Sequence, residues 1–228
     1  MEVCERDPLS SVARRRNCPV ALRIAPRIAH DRSEHHVASR AAQGAGTARR
    51  SADRRLFSVL RQPTEWLNIP AGGIALDVGC GPGTVTASLA RAAGPDGLAL
   101  GLDLSQAMLA RAVRGEGGPQ IGFLRADAQR LPLRDETVDA VASIAVLQLV
   151  PDPAAALAEM ARVLRAGGRL AVIVPTAGWA AQFWRMLPNI GAHIFGEDEI
   201  GDILEDHGFT SVRTKNFGAL QWVRGKHG

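Results

Sequence analysis

Short apolar runs alternate with amphipathic stretches from residue 74 onward. The apolar runs have the length of strands buried on both faces, and they lie at residues 74–78, 98–102, 121–124, 138–146 and 170–174. Apolar residues recur at helical spacing between them, which predicts helices at 84–93, 105–114, 152–165 and 197–207. Residues 209–215 and 220–224 predict a closing antiparallel pair, and residues 51–67 a helix interrupted by Pro63.

Strands that alternate with helices of this length predict an α/β fold. The expected architecture is an open, mostly parallel sheet with helices on both faces. Ser105 and Asp152 are good N-caps for two of the helices, and Gly167 with Gly168 is predicted to end the helix that Asp152 starts. With 228 residues, 46% of them hydrophobic, the chain can bury one core, which we assign to residues 51–228.

The first 50 residues show no such periodicity. Residues 1–60 hold 12 Arg and 6 acidic residues, whereas the rest of the chain holds 15 basic and 17 acidic residues. We interpret residues 1–50 as an Arg-rich, disordered segment. A basic arm that touches nucleic acid or an anionic membrane is the alternative, but no aromatic residue for base stacking precedes Phe57.

The cysteines and the apolar runs bear on location. Cys4, Cys18 and Cys80 are too few and too scattered for a disulfide framework, and no Cys-x-x-Cys pair suggests zinc or any other metal. No apolar run reaches the roughly 18 residues of a membrane span. The run 14–16 of arginines lacks the apolar stretch of a secretory signal. These features predict a cytoplasmic protein.

A glycine loop follows the first strand and is the most informative feature of the chain. Gly79, Gly81 and Gly83 stand at alternate positions, and Asp77 lies in the strand just before them. Without a Cβ, glycine lets the backbone turn sharply, adopt positive φ and approach a ligand closely. The loop therefore predicts a ligand at the carboxyl end of the strand, where open α/β sheets bind them.

Acidic residues end the next two strands and indicate the kind of ligand. Asp103 lies 20 residues after Gly83, where a carboxylate can accept hydrogen bonds from both hydroxyls of a ribose. Asp127 follows the third strand and can accept from the exocyclic amine of a base. These groups predict a ligand that contains adenosine.

The loop itself distinguishes between adenosine ligands. A dinucleotide fingerprint places its third glycine at position 84, which is Thr84 in this chain. Asp77 brings a negative charge that repels a phosphate and attracts an ammonium or a sulfonium. The loop therefore suits the cationic amino-acid end of a ligand better than a pyrophosphate.

Four segments resemble the motifs of class I S-adenosylmethionine-dependent methyltransferases. They are Leu-Asp-Val-Gly-Cys-Gly-Pro-Gly-Thr at 76–84, Gly-Leu-Asp-Leu-Ser at 101–105, the stretch 125–140 beginning Arg-Ala-Asp-Ala, and Leu-Arg-Ala-Gly-Gly-Arg-Leu at 164–170. The resemblance covers about residues 55–215 and is greatest to the ubiquinone and menaquinone biosynthesis and small-molecule branch. It implies a doubly wound, Rossmann-like sheet of seven strands with one antiparallel strand, and S-adenosyl-L-methionine as the cofactor.

The resemblance also implies roles for particular residues. Asp77 and the loop residues Gly79, Cys80, Gly81, Pro82 and Gly83 would hold the methionyl end of the donor. Asp103 would bind the ribose hydroxyls, with Leu104 packed on the adenine, and Asp127 and Ala128 would border the adenine amine. Ser143, or its neighbours Ile144 and Ala145, would face the sulfonium.

The methyl acceptor and the catalytic groups are less well indicated. The sulfonium is already activated, so a general base is required only if the acceptor must lose a proton. Several groups could serve as that base and none is decisive; His193 is the candidate we name, and a structural role for it stays open. An apolar segment suggests a cap over a small hydrophobic acceptor or a helix packed on the sheet; its residues are Trp179, Phe183, Trp184, Met186, Leu187 and Ile190.

Three other functions stay open at this stage. One is a protein that binds the donor without turnover, as a sensor or interaction module. A second is an NAD-dependent oxidoreductase, which Thr84 disfavours. A nucleic-acid methyltransferase is disfavoured because Ser143-Ile144-Ala145-Val146 stands where such enzymes carry an Asn-Pro-Pro-Tyr-like segment. The sequence does not indicate an oligomeric state.

Overall fold

The structure is a computed structural model that describes residues 64–175, 193–218 and 220–228. The predicted Arg-rich segment 1–50 and the apolar segment 179–190 lie outside the described residues. So does most of the helix predicted over 51–67, of which residues 64–67 are helical. No helix within the described ranges combines the length and apolar character needed to cross a bilayer.

The described chain forms strands and helices in near-strict alternation. The strands are β1 Ile74–Val78, β2 Leu98–Asp103, β3 Ile121–Arg125, β4 Val138–Ile144, β5 Leu164–Pro175, β6 Phe209–Phe217 and β7 Leu220–His227. The labelled helices are α1 Thr84–Ala93, α2 Gln106–Glu116, α3 Pro153–Val163 and α4 Glu199–Asp206, with a 3₁₀ turn at Leu147–Leu149.

The seven strands make one sheet in the order β3-β2-β1-β4-β5-β7-β6. Strands β1 to β5 pair in parallel, while β7 pairs antiparallel with both β5 and β6. The order reverses between β1 and β4, which places a crevice at their carboxyl ends. The predicted Rossmann-like sheet with one antiparallel strand is confirmed.

The two faces of the sheet are packed differently. On one face, leucine and valine side chains of β1, β2, β4 and β5 pack with α3 and α4 in a large core that includes Leu157, Met160 and Ile200. On the other face the strands present mainly alanine, namely Ala75, Ala99, Ala140, Ala142 and Ala171, against Leu67 and Leu89. Small side chains let α1 lie close to the strands that carry the glycine loop.

Among the predicted boundaries that differ from the structure, two have a reason that is visible in the backbone. Strand β5 begins at Leu164 instead of residue 170, because Leu164 pairs with Val138 before a register shift to the pair Arg169 and Ala140. The two predicted stop glycines therefore lie within the strand. Strand β4 ends at Ile144 instead of residue 146, because Ala145 adopts a positive φ of 57° that a strand does not tolerate.

Candidate functional site

Backbone hydrogen bonds fix the glycine loop to β2 and also close the loop on itself. The amides of Gly79 and Cys80 both donate to the carbonyl of Leu102, at 2.7 and 2.8 Å, which fixes the loop to the end of β2. The amide of Gly83 donates to the carbonyl of Cys80 at 3.0 Å. The loop therefore has a defined shape before any ligand arrives.

The three glycines have positive φ angles but different surroundings. Their φ values are 74° at Gly79, 52° at Gly81 and 87° at Gly83. A Cβ at Gly79 would overlap the side chain of Val146, and one at Gly83 would come within 2.8 Å of Phe123. A Cβ at Gly81 would meet nothing within 4 Å. Two glycines thus permit packing, while the middle one faces open space where a ligand can lie.

Asp103 joins the loop to the tip of the second strand. One carboxylate oxygen accepts from the amide of Gly81 and the other from the amide of Ser105, both at 2.8 Å. A carboxylate has about four lone-pair sites, so each oxygen can accept one more hydrogen bond. Asp103 is half-buried and already oriented, as a ribose ligand would require.

The tip of β3 lies beside Asp103. The amide of Ala126 donates to the carbonyl of Asp103 at 3.3 Å, which brings the two strand tips together. Asp127 is exposed and accepts from the amide of Gln129 at 2.9 Å, while Ala128 packs against the main core. Leu104, just after β2, leaves 62% of its surface exposed.

Asp77 lies beneath the loop and is almost completely buried. Its carboxylate accepts a 2.5 Å hydrogen bond from the hydroxyl of Thr86, the third residue of α1. Burial raises the pKa of Asp77 to about 7, with a smaller increase from Asp103, while hydrogen bonds from Thr86 oppose the rise. One oxygen of Asp77 is therefore engaged within the protein, and the carboxyl carries its full negative charge only above about pH 7.

Cys80 and Pro82 are the remaining residues of the loop. The thiol of Cys80 is buried, and burial together with Asp77 and Asp103 raises its pKa well above the usual range. A thiol that resists ionisation is a poor nucleophile. Pro82 is exposed at the outer edge of the loop.

Residues 143–149, from the end of β4 through the 3₁₀ turn, form the other side of the crevice. Ser143 pairs with Val78, the residue before the loop, and it is fully buried with no hydrogen-bond partner for its Oγ. Ala145 and Leu149 are the exposed residues of this segment, and Val146 lies against the loop at Gly79. Buried hydroxyls are normally hydrogen-bonded, so the unpartnered hydroxyl of Ser143 is not explained by packing alone.

His193 is linked to this same segment. Its amide donates to the carbonyl of Gln148 at 2.9 Å, and its Nε2 lies 2.8 Å from Glu199. The structure thus brings the loop, Asp103 and Asp127 to one side of the crevice and His193 to the side of β4. No group of His, Cys, Asp and Glu side chains in the described ranges is arranged to hold a metal ion.

The arrangement fits the cationic adenosine ligand that the motifs imply. The open backbone at Gly81, the free acceptor sites of Asp103 and the buried charge of Asp77 offer acceptors and negative potential. The helix that follows the loop begins at Thr84 with no side-chain cap, so its first amides can receive a ligand carboxylate.

Two contributors to the site escaped prediction. Thr86 holds Asp77, and the available signal was a hydroxyl on the buried face of an apolar helix, which must find a partner inside the protein. Glu199 pairs with His193 across six residues, and no period in the sequence indicates that contact.

Comparisons with known proteins match this same part of the chain. A family model described as a methyltransferase domain matches residues 76–172. The demethylmenaquinone methyltransferase of Lactobacillus johnsonii is 34% identical over 163 residues, which are 66% of this chain and 64% of that protein. An uncharacterised 37.1 kDa protein in transposon Tn4556 of Streptomyces fradiae is 46% identical over 110 residues, 48% of this chain and 32% of that protein.

A solved structure extends the match to the fold. The S-adenosylmethionine-dependent methyltransferase from Aquifex aeolicus superposes with a TM-score of 0.61 at 25% identity, over 73% of this chain and 88% of that one. The chain spans between about a third and two thirds of the curated relatives named above. Its four motifs, its sheet order and these matches make the chain similar to the class I S-adenosylmethionine-dependent methyltransferases, with the family model covering residues 76–172.

Proposed function

We propose that this protein transfers a methyl group from S-adenosylmethionine to a small hydrophobic acceptor in the cytoplasm. The donor supplies a methyl group already activated on a sulfonium. The observation that carries the proposal is the Asp103 carboxylate, oriented by two backbone amides beside the open backbone of Gly81. The carboxylate can accept hydrogen bonds from the ribose hydroxyls, and the open space at Gly81 can hold the methionyl chain attached to the ribose.

The proposed donor contacts follow the strand tips in order. Asp103 accepts from the ribose hydroxyls, Leu104 packs on the adenine, and Asp127 with Ala128 borders its amine. The methionyl end lies along Gly79, Cys80, Gly81, Pro82 and Gly83, above the charge of Asp77. Ser143 lies behind this region, and its unpartnered hydroxyl supports a polar role toward the donor.

The proposal of a hydrophobic acceptor rests on the side of the crevice formed after β4. Leu149 exposes 61% of its surface there, beside the segment that contacts the loop. The relative from Lactobacillus johnsonii is named for a quinone, demethylmenaquinone. An aromatic or quinone-like acceptor would bury Leu149, gaining about 25 cal/mol for each Å² removed from water.

Ligand-dependent thermal unfolding tests the donor site directly. At about 100 times the dissociation constant, S-adenosylmethionine or its demethylated product should stabilise the fold by roughly 2.7 kcal/mol. Asp103→Ala should abolish most of that gain, because the ribose loses its acceptor. Asp96→Ala, in the exposed turn after α1, is the matched control and should keep the full gain.

The same thermal unfolding measured with NAD distinguishes a methyltransferase from an NAD-dependent oxidoreductase. Stabilisation by NAD without stabilisation by S-adenosylmethionine would contradict the proposal. Turnover is then measured as transfer of labelled methyl to hydroquinone, phenol and lipid acceptors. Donor binding with no transfer to any acceptor class would favour a binding protein over an enzyme.

A further inference from the structure

His193 is held from three directions although 46% of its side chain is exposed. Its amide donates to the carbonyl of Gln148, its ring lies against Phe195 at a centroid distance of 4.5 Å, and its Nε2 meets Glu199 at 2.8 Å. Phe195 is fully buried in the main core. A surface histidine does not need such restraint for stability, since exposed ion pairs contribute about 0–1 kcal/mol.

Glu199 is itself oriented by the backbone. Its second carboxylate oxygen accepts from the amide of Gly196 at 2.9 Å, so the first oxygen is directed at His193. Glu199 is the first residue of α4, and its neighbour Ile200 is completely buried. The carboxylate therefore has a defined position relative to the imidazole.

This pairing determines which ring nitrogen carries the proton. A carboxylate can only accept, so in the neutral imidazole the proton lies on Nε2 and is donated to Glu199. Nδ1 then has a free lone pair, and it makes no hydrogen bond within the described part of the chain. A carboxylate that fixes the tautomer of a histidine leaves the other nitrogen able to accept a proton.

The position of the pair relative to the donor loop follows from two contacts. Val146 touches the loop at Gly79, and Gln148, two residues later, accepts from the amide of His193. The 3₁₀ turn Leu147–Leu149 therefore connects the residue beside the loop, Val146, to the residue that binds the amide of His193. The exposed side chain of Leu149 belongs to the same turn.

We propose that His193 is the general base of the reaction, that Glu199 positions it, and that the acceptor is a phenolic or enolic hydroxyl compound; this rests on the proposed function. The acceptor hydroxyl gives its proton to Nδ1 of His193. The electron pair left on the acceptor forms its bond to the donor methyl carbon, and the pair of the broken carbon–sulfur bond stays on sulfur.

The chemistry of the base selects the acceptor class. A neutral imidazole can assist a phenol, whose pKa is about 10, because the proton is transferred as the bond to carbon forms. A neutral amine attacks with its own lone pair and needs no base before attack. A phenolate can react at oxygen or at a ring carbon, so the proposal covers both O- and C-methylation of a hydroquinone.

The catalytic test uses acceptors of different acidity. With a hydroquinone, His193→Gln should lower kcat about 100-fold or more, within the usual contribution of general base catalysis. With a nitrophenol that is already ionised at the assay pH, the same variant should change kcat less than about threefold. His207→Gln is the matched control, because His207 bonds to the carbonyl of Ile203 on α4 and should leave both rates unchanged.

Glu199→Gln tests the positioning role. The amide retains a carbonyl oxygen for Nε2 but can also present its NH₂ group, so it no longer enforces one tautomer. We expect kcat with the hydroquinone to fall about tenfold, with the Michaelis constant and donor affinity within twofold of the wild type. An equal rate loss with both acceptors for His193→Gln would overturn the role as a base.

A readout independent of turnover comes from the imidazole nitrogens. In ¹⁵N-histidine-labelled protein at about pH 8, long-range ¹⁵N spectra should show the Nε2–H form of His193, and Glu199→Gln should mix it with the Nδ1–H form. Phenol added to protein saturated with the demethylated donor should shift Nδ1. An Nδ1–H form in the wild type would overturn the inference, whereas missing donor stabilisation would contradict only the proposed function.

Discussion

The residue that defines the electrostatics of the site is Asp77. It is 1% exposed, and its neighbour across the strand tips is the half-buried carboxylate of Asp103. Two carboxylates beneath and beside one loop create a negative potential that favours a sulfonium and an ammonium. Burial raises the pKa of Asp77 to about 7, so below that pH a proton relieves the repulsion.

The raised pKa of Asp77 predicts how stability changes with pH. The folded protein retains this proton up to about pH 7, whereas an unfolded aspartate releases it near 3.8. Between these values the folded state binds more protons, so the free energy of unfolding should decrease as pH rises. The decrease should be of the order of a few kcal/mol, since each pKa unit is worth about 1.4 kcal/mol.

Asp77→Asn isolates this contribution. The asparagine carbonyl still accepts from the hydroxyl of Thr86, but the side chain does not ionise. Urea unfolding at several pH values between about 4 and 8 should show a smaller decrease in stability for the variant than for the wild type. Parallel curves for the two proteins would contradict the prediction.

At the scale of an element, the glycine loop separates packing from ligand contact. Gly79 and Gly83 have positive φ and lie against Val146 and Phe123, whereas Gly81 has positive φ and open space. The first two positions are therefore needed for packing, and the middle position is the one we propose to contact the ligand. One loop thus offers a pair of substitutions with opposite expected effects.

Gly79→Ala and Gly81→Ala make that pair. We expect Gly79→Ala to destabilise the fold by about 3 kcal/mol or more, because backbone strain of about 1–2 kcal/mol adds to overlap with Val146. Gly81→Ala should cost only the strain, yet weaken donor binding at least tenfold. Chemical unfolding and donor titration by calorimetry measure the two effects; tight donor binding by Gly81→Ala would contradict the assignment.

The local patterns of the fold and the site could be predicted from the sequence, whereas the contacts between elements could not. The loop, the strand tips with Asp103 and Asp127, and the alternation of strands and helices are local patterns, so they could be predicted. The bond between Asp77 and Thr86 and the pair His193 and Glu199 depend on side-chain geometry across elements, which no period encodes. The start of β5 was missed because the register shift beside Val138 accommodates two glycines that ordinarily end a helix.

At the scale of the whole molecule, charge is divided between two parts of the chain. Residues 1–60 carry an excess of six positive charges, while the remainder carries an excess of two negative charges. The proposed donor contacts all lie at residues 77–143, within the second part. Donor binding should therefore be independent of the basic segment.

Removal of residues 1–50 tests that independence. The shortened protein should keep the stabilisation by S-adenosylmethionine, of roughly 2.7 kcal/mol at about 100 times the dissociation constant. Thermal unfolding of both lengths with and without the donor measures it. Loss of the response on shortening would show that the segment contributes to the methyltransferase fold.

The position of β7 has a consequence for the order of folding. This strand, residues Leu220–His227, lies between β5 and β6, and β6 has no other partner strand in the described sheet. During synthesis, β1 to β5 can associate while β6 must wait for the strand that follows it. We therefore expect the proposed donor site to form early on the ribosome, whereas the edge of the sheet at β5 stays open until residue 227 has emerged, and an open edge favours wrong pairing with other chains.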